Sequence, residues 1–172
     1  MYNTQSKETI IYYKSPVGLL KIQSEATFIS TILFSEGEQV NITSDDVFAK
    51  EIPAIANCTQ QLDDYFSGKR RSFDFPMRQQ GTPFQQRVWL ELQNIPFGET
   101  ISYLELSKRI GNTKAIRACG TANGQNQLAI VVPCHRVIGS NGKLVGYAGG
   151  LQRKKELLLH EAKYTIPTKT LF

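Results

Sequence analysis

Cys134 is the residue of this chain around which a covalent reaction can be built. It stands in Val131-Val132-Pro133-Cys134-His135-Arg136-Val137. The thiolate is the nucleophilic form of cysteine, and an adjacent proton acceptor and a fixed positive charge lower a thiol pKa from about 8.5. His135 and Arg136 offer both. The apolar run Leu128-Ala129-Ile130 reads as a buried strand. Pro133 cannot donate to a sheet ladder and so marks its end, turning Cys134 away from the sheet. The alternative for a Cys-His pair is a buried cysteine beside an incidental histidine.

Helices are needed to position such a thiol, and the sequence marks several. Thr82-Pro83 opens one, with threonine as N-cap, proline in the first turn, and Phe84, Val88 and Leu92 repeating every four residues beside Trp89. Pro96 and Gly98 close it. Ser102 and Glu105 match a capping box for a second helix that runs to Ile110 and stops at Gly111. Thr113 is expected to cap a third, from about Lys114 to Asn123. Two helices on so short a turn predict a helix-turn-helix, a pattern also found in helical pairs that bind nothing. The small residues Ala115, Ala118, Gly120 and Ala122 suit close approach to a groove, with Arg117 projecting from it, or close packing on neighbouring helices. A glycine-rich loop, Gly139 to Gly150, then leads into a lysine- and leucine-rich helix ending at His160-Glu161.

The first half reads as a small α/β unit. Thr9–Tyr13, Leu19–Ile22 and Phe28–Phe34 are rich in β-branched and aromatic residues, and Pro16-Val17-Gly18 is a hairpin signal, so three antiparallel strands are expected. A helix over roughly Asp46 to Phe66 follows, with Pro53 placing its true start near that residue, and Phe73–Pro76 reads as a short final strand. Cys58 is a core residue of that helix. The polar stretch Met77–Gly81 divides the chain into residues 1–81, an α/β scaffold, and residues 82–172, a mainly α domain.

Composition narrows the function classes. The first 81 residues hold 8 Lys/Arg against 10 Asp/Glu, a net of −2, and the remaining residues hold 12 against 5, a net of +7. A basic second half suits a polyanion such as nucleic acid, although a solvated surface is also basic at times. The polar N-terminus and the lack of a long apolar segment predict a soluble cytoplasmic protein without membrane contact. Cys58, Cys119 and Cys134 form no paired spacing, against a disulfide framework or a zinc finger.

Pro133-Cys134-His135-Arg136-Val137, Gly146-Tyr147-Ala148-Gly149-Gly150 and His160-Glu161, in this order and spacing, closely resemble the methylated-DNA–protein-cysteine methyltransferases, the O6-alkylguanine-DNA alkyltransferases. The resemblance is strong from about Thr82 to Glu161 and weak before it. It implies an N-terminal domain resembling ribonuclease H, a domain in which some relatives bind zinc structurally; this sequence shows neither a phosphate-binding glycine loop nor a set of metal ligands, so no cofactor and no metal are expected. The implied partner is double-stranded DNA carrying O6-alkylguanine, bound by a monomer. The implied reaction is irreversible transfer of the alkyl group from O6 of guanine, with O4 of thymine as a second target, to Cys134.

The same resemblance implies the roles of individual residues. His135 accepts the thiol proton through a water, and Glu161 orients the imidazole as in a catalytic triad. Tyr103 helps rotate the nucleotide and hydrogen-bonds the base. Asn126 orders the active-site turn, and Gln127, where many relatives carry proline, predicts a looser one. The Val137 carbonyl receives the exocyclic amine, and the loop of Tyr147 and Ala148 covers the base with the Ala148 N–H near O6. Arg117 fills the space left by the flipped nucleotide as its helix enters the minor groove. Lys114, Ala115, Ala118, Thr121, Ala122, Asn123 and Arg136 line the DNA contact. Cys119 is left as a packing residue and His160 as a cap of the last helix.

No residue offers to remove an alkyl group from sulfur, so each molecule is expected to act once. Two rival classes remain. A cysteine hydrolase would use the same pair but turn over, and adjacency of Cys134 to His135 with a helix-turn-helix attached disfavours it. A non-catalytic damage-binding relative would carry tryptophan in place of the cysteine.

Overall fold

Period-two burial builds the sheet of the first unit. β1 (Glu8–Ser15), β2 (Gly18–Glu25) and β3 (Phe28–Phe34) run antiparallel in the order β1-β2-β3. Ile11 pairs with Ile22 and Ile22 with Ile32, which aligns buried residues on one face. The Pro16-Val17 hairpin is closed by Ser15 Oγ donating to Gly18 C=O at 2.6 Å. Against this face packs α1 (Pro53–Phe66), whose Ala54, Ile55, Cys58, Leu62 and Tyr65 are buried at helical spacing. The computed structural model describes residues 8–25, 27–36 and 52–165, so the expected start of this helix at Asp46 lies outside the described residues. The chain divides into the units Met1–Gln79 and Gln80–Phe172.

Phe73–Pro76 does not form the expected strand. Its contact with β3 is a single parallel bridge from Met77 to Ile29, flanked by Ile29 N–H to Pro76 C=O and Arg78 N–H to Ile29 C=O, both 2.9 Å. Pro76 has no N–H for a ladder. The Asp74 N–H is spent on the side-chain oxygen of Gln61 at 3.0 Å.

In the second unit, α2 (Pro83–Gln93) opens on a complete capping box: Thr82 accepts from the Gln85 N–H, and the Gln85 side chain accepts from the Thr82 N–H. A Cβ on Gly81 would lie 2.5 Å from the Trp89 ring, so only glycine lets the chain pass there. Trp89 donates its indole N–H to the Ala122 carbonyl at 2.8 Å, joining α2 to α4. β4 (Ile101–Ser102) leads directly into α3 (Tyr103–Arg109), capped by Ser102 Oγ accepting from Glu105 N–H at 3.0 Å, and Gly111 follows at φ +80°.

The next helix, α4 (Ile116–Gly124), begins two residues later than expected and without a side-chain cap. Asn112, not Thr113, organises the turn: its Oδ1 accepts from Lys114 N–H at 3.2 Å and its carbonyl from Ala115 N–H at 3.0 Å. A 3₁₀ turn (Cys134–Arg136) precedes β5 (Val137–Ile138), which pairs in parallel with β4. Finally α5 (Leu151–Thr165) runs one turn past the expected end. The His160 ring near its end lies edge-on to Phe97 and Tyr164.

Candidate active site

Residues Leu128 to Val132 are buried, as an apolar run should be, but they fold into tight turns instead of a strand. Val131 N–H reaches Ala129 C=O and Val132 N–H reaches Leu128 C=O, both at 2.9 Å. Ile130 between them is held at φ +72°, a conformation that costs a β-branched residue about 1–3 kcal/mol. One carboxamide pins this turn. Asn126 Nδ2 donates to Val132 C=O at 2.8 Å and Leu128 C=O at 3.3 Å, while its Oδ1 accepts from Leu128 N–H at 3.1 Å. The turn delivers Cys134, 5 % exposed, with Asn126 Nδ2 3.2 Å from its sulfur.

The electrostatics differ from the expectation that His135 and Arg136 would ionise this thiol. Burial is the largest influence and pushes the Cys134 pKa up; Asn126 and the Lys154 ammonium pull the other way. Arg136 is committed elsewhere. Its Nε and Nη2 lie 2.9 Å from the two oxygens of Glu161, and its Nη1 donates to Ile95 C=O at 2.6 Å.

Lys154 was not singled out from the sequence. Its fully buried ammonium donates to Val137 C=O at 2.6 Å, Val145 C=O at 2.8 Å and Gly146 C=O at 3.2 Å. It thereby ties β5 to the irregular loop before α5, and burial lowers its pKa to about 8. A signal was present: Lys154, Leu157 and Glu161 are the buried residues of α5, spaced three and four apart.

Glu161 collects donors from three places: His135 Nε2 at 2.7 Å, Arg136, and the Gly98 N–H at 3.0 Å. Burial raises its pKa, but His135 and Arg136 together hold the carboxyl well below the usual range. Because Glu161 is then an acceptor only, His135 carries its proton on Nε2. The other ring nitrogen, Nδ1, is a buried acceptor without a protein partner. Burial also lowers the His135 pKa against the pull of Glu161, so the neutral ring is the resting form. Among the described residues the ring and the Cys134 sulfur share no direct hydrogen bond.

The residues expected on DNA separate into two groups. Lys114, Arg117, Ala118 and Thr121 are exposed at i, i+3, i+4 and i+7, a single stripe along α4 and its entry. Ala115 is half-buried. Ala122, Asn123 and Arg136 are buried and are corrections. Ala122 packs beneath Trp89, Asn123 donates to the Cys134 carbonyl at 3.3 Å, and Arg136 serves Glu161.

Tyr103 is half-buried at the start of α3, its hydroxyl 3.4 Å from Val145 C=O and 3.5 Å from Gly146 C=O. Tyr147 is half-buried and Ala148 exposed on the same loop. Cys58 and Cys119 are buried, and burial raises both thiols, Cys58 to about 12. Among the described residues no cluster of His, Cys, Asp and Glu is arranged for a metal ion, and no helix is long and apolar enough to cross a membrane.

Comparison with known proteins matches both units to family models. Residues 10–79 match the ribonuclease-like domain of 6-O-methylguanine DNA methyltransferase, and residues 83–163 match its DNA-binding domain. The chain is 44 % identical over 149 residues to the constitutive methylated-DNA–protein-cysteine methyltransferase of Bacillus subtilis, covering 86 % of this chain and 90 % of that protein. Among solved structures, the O6-methylguanine methyltransferase of Mycobacterium tuberculosis superposes with a TM-score of 0.80 at 38 % identity, over 95 % of this chain and 97 % of that one. The structure of the M. tuberculosis protein in complex with DNA gives 0.78 at 42 % identity, over 89 % and 92 %.

Proposed function

Since this chain belongs to the 6-O-methylguanine DNA methyltransferase family, we propose that it repairs DNA by drawing a methyl or larger alkyl group from O6 of guanine onto the sulfur of Cys134. The observation that carries this reading is the fixed His135–Glu161 pair beside a buried thiol. Glu161 holds the Nε2 proton at 2.7 Å and leaves Nδ1 as the free acceptor.

The thiol proton passes to Nδ1 through one water as the S–C bond forms and the C–O6 bond breaks, and the Glu161 carboxylate stabilises the imidazolium. The C–O6 electron pair leaves with the base as its anion, which regains a proton from water while the imidazolium returns its proton to solvent, so guanine is restored with O6 unalkylated. A thioether has no easy leaving group and no side chain here offers to remove it, so each molecule acts once.

A base inside a duplex cannot reach the sulfur of Cys134, a residue only 5 % exposed, so the nucleotide must be flipped out at a cost of a few kcal/mol. The stripe of Lys114, Arg117, Ala118 and Thr121 supports entry of α4 and its neighbour α3, as a helix-turn-helix, into the minor groove of double-stranded DNA, with Arg117 taking the vacated place in the stack. Tyr103 steadies the flipped base and the Ala148 N–H approaches O6. The protein works as a monomer inside the cell.

The test is intact mass after incubation with a duplex carrying O6-methylguanine. One methyl per protein molecule is expected, located by peptide mass on Cys134 and not on Cys58 or Cys119. Repeated turnover, or transfer that survives Cys134→Ala, would overturn the reading.

A further inference from the structure

Arg136 is buried, and its guanidinium is held on every side. Nε and Nη2 lie 2.9 Å from the two oxygens of Glu161, Nη1 donates to Ile95 C=O at 2.6 Å, and the Phe97 ring centre lies 5.8 Å from Cζ. Such a fork fixes geometry as well as charge. Stability alone is a weak reason for it, because the cost of desolvating two charges offsets much of the attraction between them. The question is then what the pair does for the neighbour with which it shares the carboxylate.

That neighbour is His135. One oxygen, Glu161 Oε1, accepts from His135 Nε2 at 2.7 Å and from Arg136 Nη2 at 2.9 Å, so the ring faces a carboxylate whose charge is already balanced. A lone carboxylate at that distance favours the charged form of an imidazole. An imidazolium carries a proton on both nitrogens, and its Nδ1 could accept nothing from the thiol. The dyad therefore needs the orienting bond from Glu161 without the full pull of its charge, and a fixed cation on the same oxygen supplies that combination.

We infer that Arg136 is a positioning residue for the transfer: acting through Glu161, it keeps His135 neutral until the thiol proton arrives. This rests on the alkyl-transfer reading above and deepens it. A guanidinium does not lose its proton in a protein, so the balance holds across the range in which the ring titrates. Burial is the largest influence on the ring and lowers its pKa; Glu161 raises it, and Arg136 and Lys154 lower it further. Glu161 and Lys154 are the buried charged residues of α5, which packs on the turn that carries His135. The other helix packed there, α2, brings only the uncharged Val88, Trp89 and Leu92 among its buried residues. Of the remaining titratable groups, Cys134 precedes the ring in the same turn and Tyr147 feels the Glu161 charge, and burial raises the pKa of both.

The experiment follows the single-turnover rate of transfer from a duplex carrying O6-methylguanine as pH is lowered, together with the titration of the His135 ring by nitrogen NMR. The rate is expected to fall as pH drops through the pKa of the ring. In Arg136→Met, uncharged and of similar length, both the fall and the ring titration should move at least about one pH unit higher, with the rate recovering as pH is raised. Arg136→Lys keeps a cation beside the carboxylate and should bring the fall back toward that of the unmodified protein, even with a lower maximum rate, since an ammonium does not reproduce the fork. A rate lowered by one factor at every pH in Arg136→Met would make Arg136 a structural residue only and overturns the inference. So does an Arg136→Lys profile that coincides with that of Arg136→Met. Should Arg136→Met fail to fold, the unmodified protein decides: a ring that is neutral and protonated on Nε2 at about pH 7 supports the inference, and a charged ring refutes it. Absence of transfer by the unmodified protein would instead sink the alkyl-transfer reading, while the ring titrations would still show whether Arg136 holds His135 neutral.

Discussion

Asn126 Nδ2 lies 3.2 Å from the Cys134 sulfur and donates at 2.8 Å to the Val132 carbonyl. The side chain that contacts the reactive atom is thus also the one that holds the turn before it, including Ile130 in its strained conformation. Modification of the sulfur is thereby coupled to the packing of the turn.

The first prediction concerns the spent protein. S-methylation adds a methyl group to a closely fitted site, an overpacking worth about 1–3 kcal/mol, and crowds a hydrogen bond worth about 0.5–1.5 kcal/mol. The methylated form should melt several degrees below the unmodified one in the same buffer without DNA. In an Asn126→Ala background the further drop on methylation should shrink, because part of the interaction is already gone. An unchanged melting temperature after methylation would show slack around the sulfur.

Lys154→Met should weaken the nucleophile without touching DNA. The Lys154 ammonium favours the Cys134 thiolate, so its removal raises the thiol pKa and lowers the rate of transfer from free O6-benzylguanine at neutral pH. Lys154 itself titrates at about 8. The unmodified protein's rate should rise with thiol ionisation, and the rise should flatten as pH passes through that value, a break that Lys154→Met should lack. Matching profiles would show that the lysine acts on the loop carbonyls alone.

Acid stability should decline in two stages. His135 has a lowered folded pKa, so below its unfolded value of about 6.5 the unfolded chain binds a proton that the folded one does not. Stability then falls with pH by up to about 1.4 kcal/mol per unit. Glu161 has a folded pKa below its unfolded value of about 4.3, so its contribution is complete above that pH and is lost as pH falls toward the folded value. Urea unfolding across pH 3.5–7.5, the window those two reference values define, should show the first stage disappear in His135→Asn. Glu161→Gln should cost about 3–5 kcal/mol at pH 7, because it leaves the Arg136 charge buried without its counter-ion. A loss under about 1 kcal/mol would mean that water reaches Arg136.

Arg117→Ala should separate flipping from chemistry. Arg117 is exposed on the α4 stripe, remote in role from the sulfur. Its loss should slow repair of duplex DNA at least about tenfold, an effect on the order of the few kcal/mol spent in extruding a base, and leave attack on free O6-benzylguanine unchanged. Binding to DNA should weaken steeply with salt, with a shallower slope in Lys114→Ala. Equal slowing of both substrates by Arg117→Ala would place the arginine in folding or chemistry.

The sequence by itself determined whatever depends on neighbours a few residues apart. The Thr82 and Ser102 caps, the glycine stop at Gly111 and the three alternating strands all follow from local backbone chemistry. The order of the Pro133–Val137, Gly146–Gly150 and His160-Glu161 motifs was likewise sufficient to reveal the family resemblance. Tertiary structure decided where each charge and amide is spent. Arg136 looks like a free cation beside Cys134, yet its partner Glu161 lies 25 residues away. Lys154 looks like one more surface lysine, yet α5 turns it inward onto three carbonyls. Leu128–Val132 has the composition of a strand, but Asn126 offers both donor and acceptor and folds it into a turn. Propensity acts over a few residues; the pairing of a buried polar group depends on which distant segment the fold brings against it, and here that pairing set the electrostatics of the thiol.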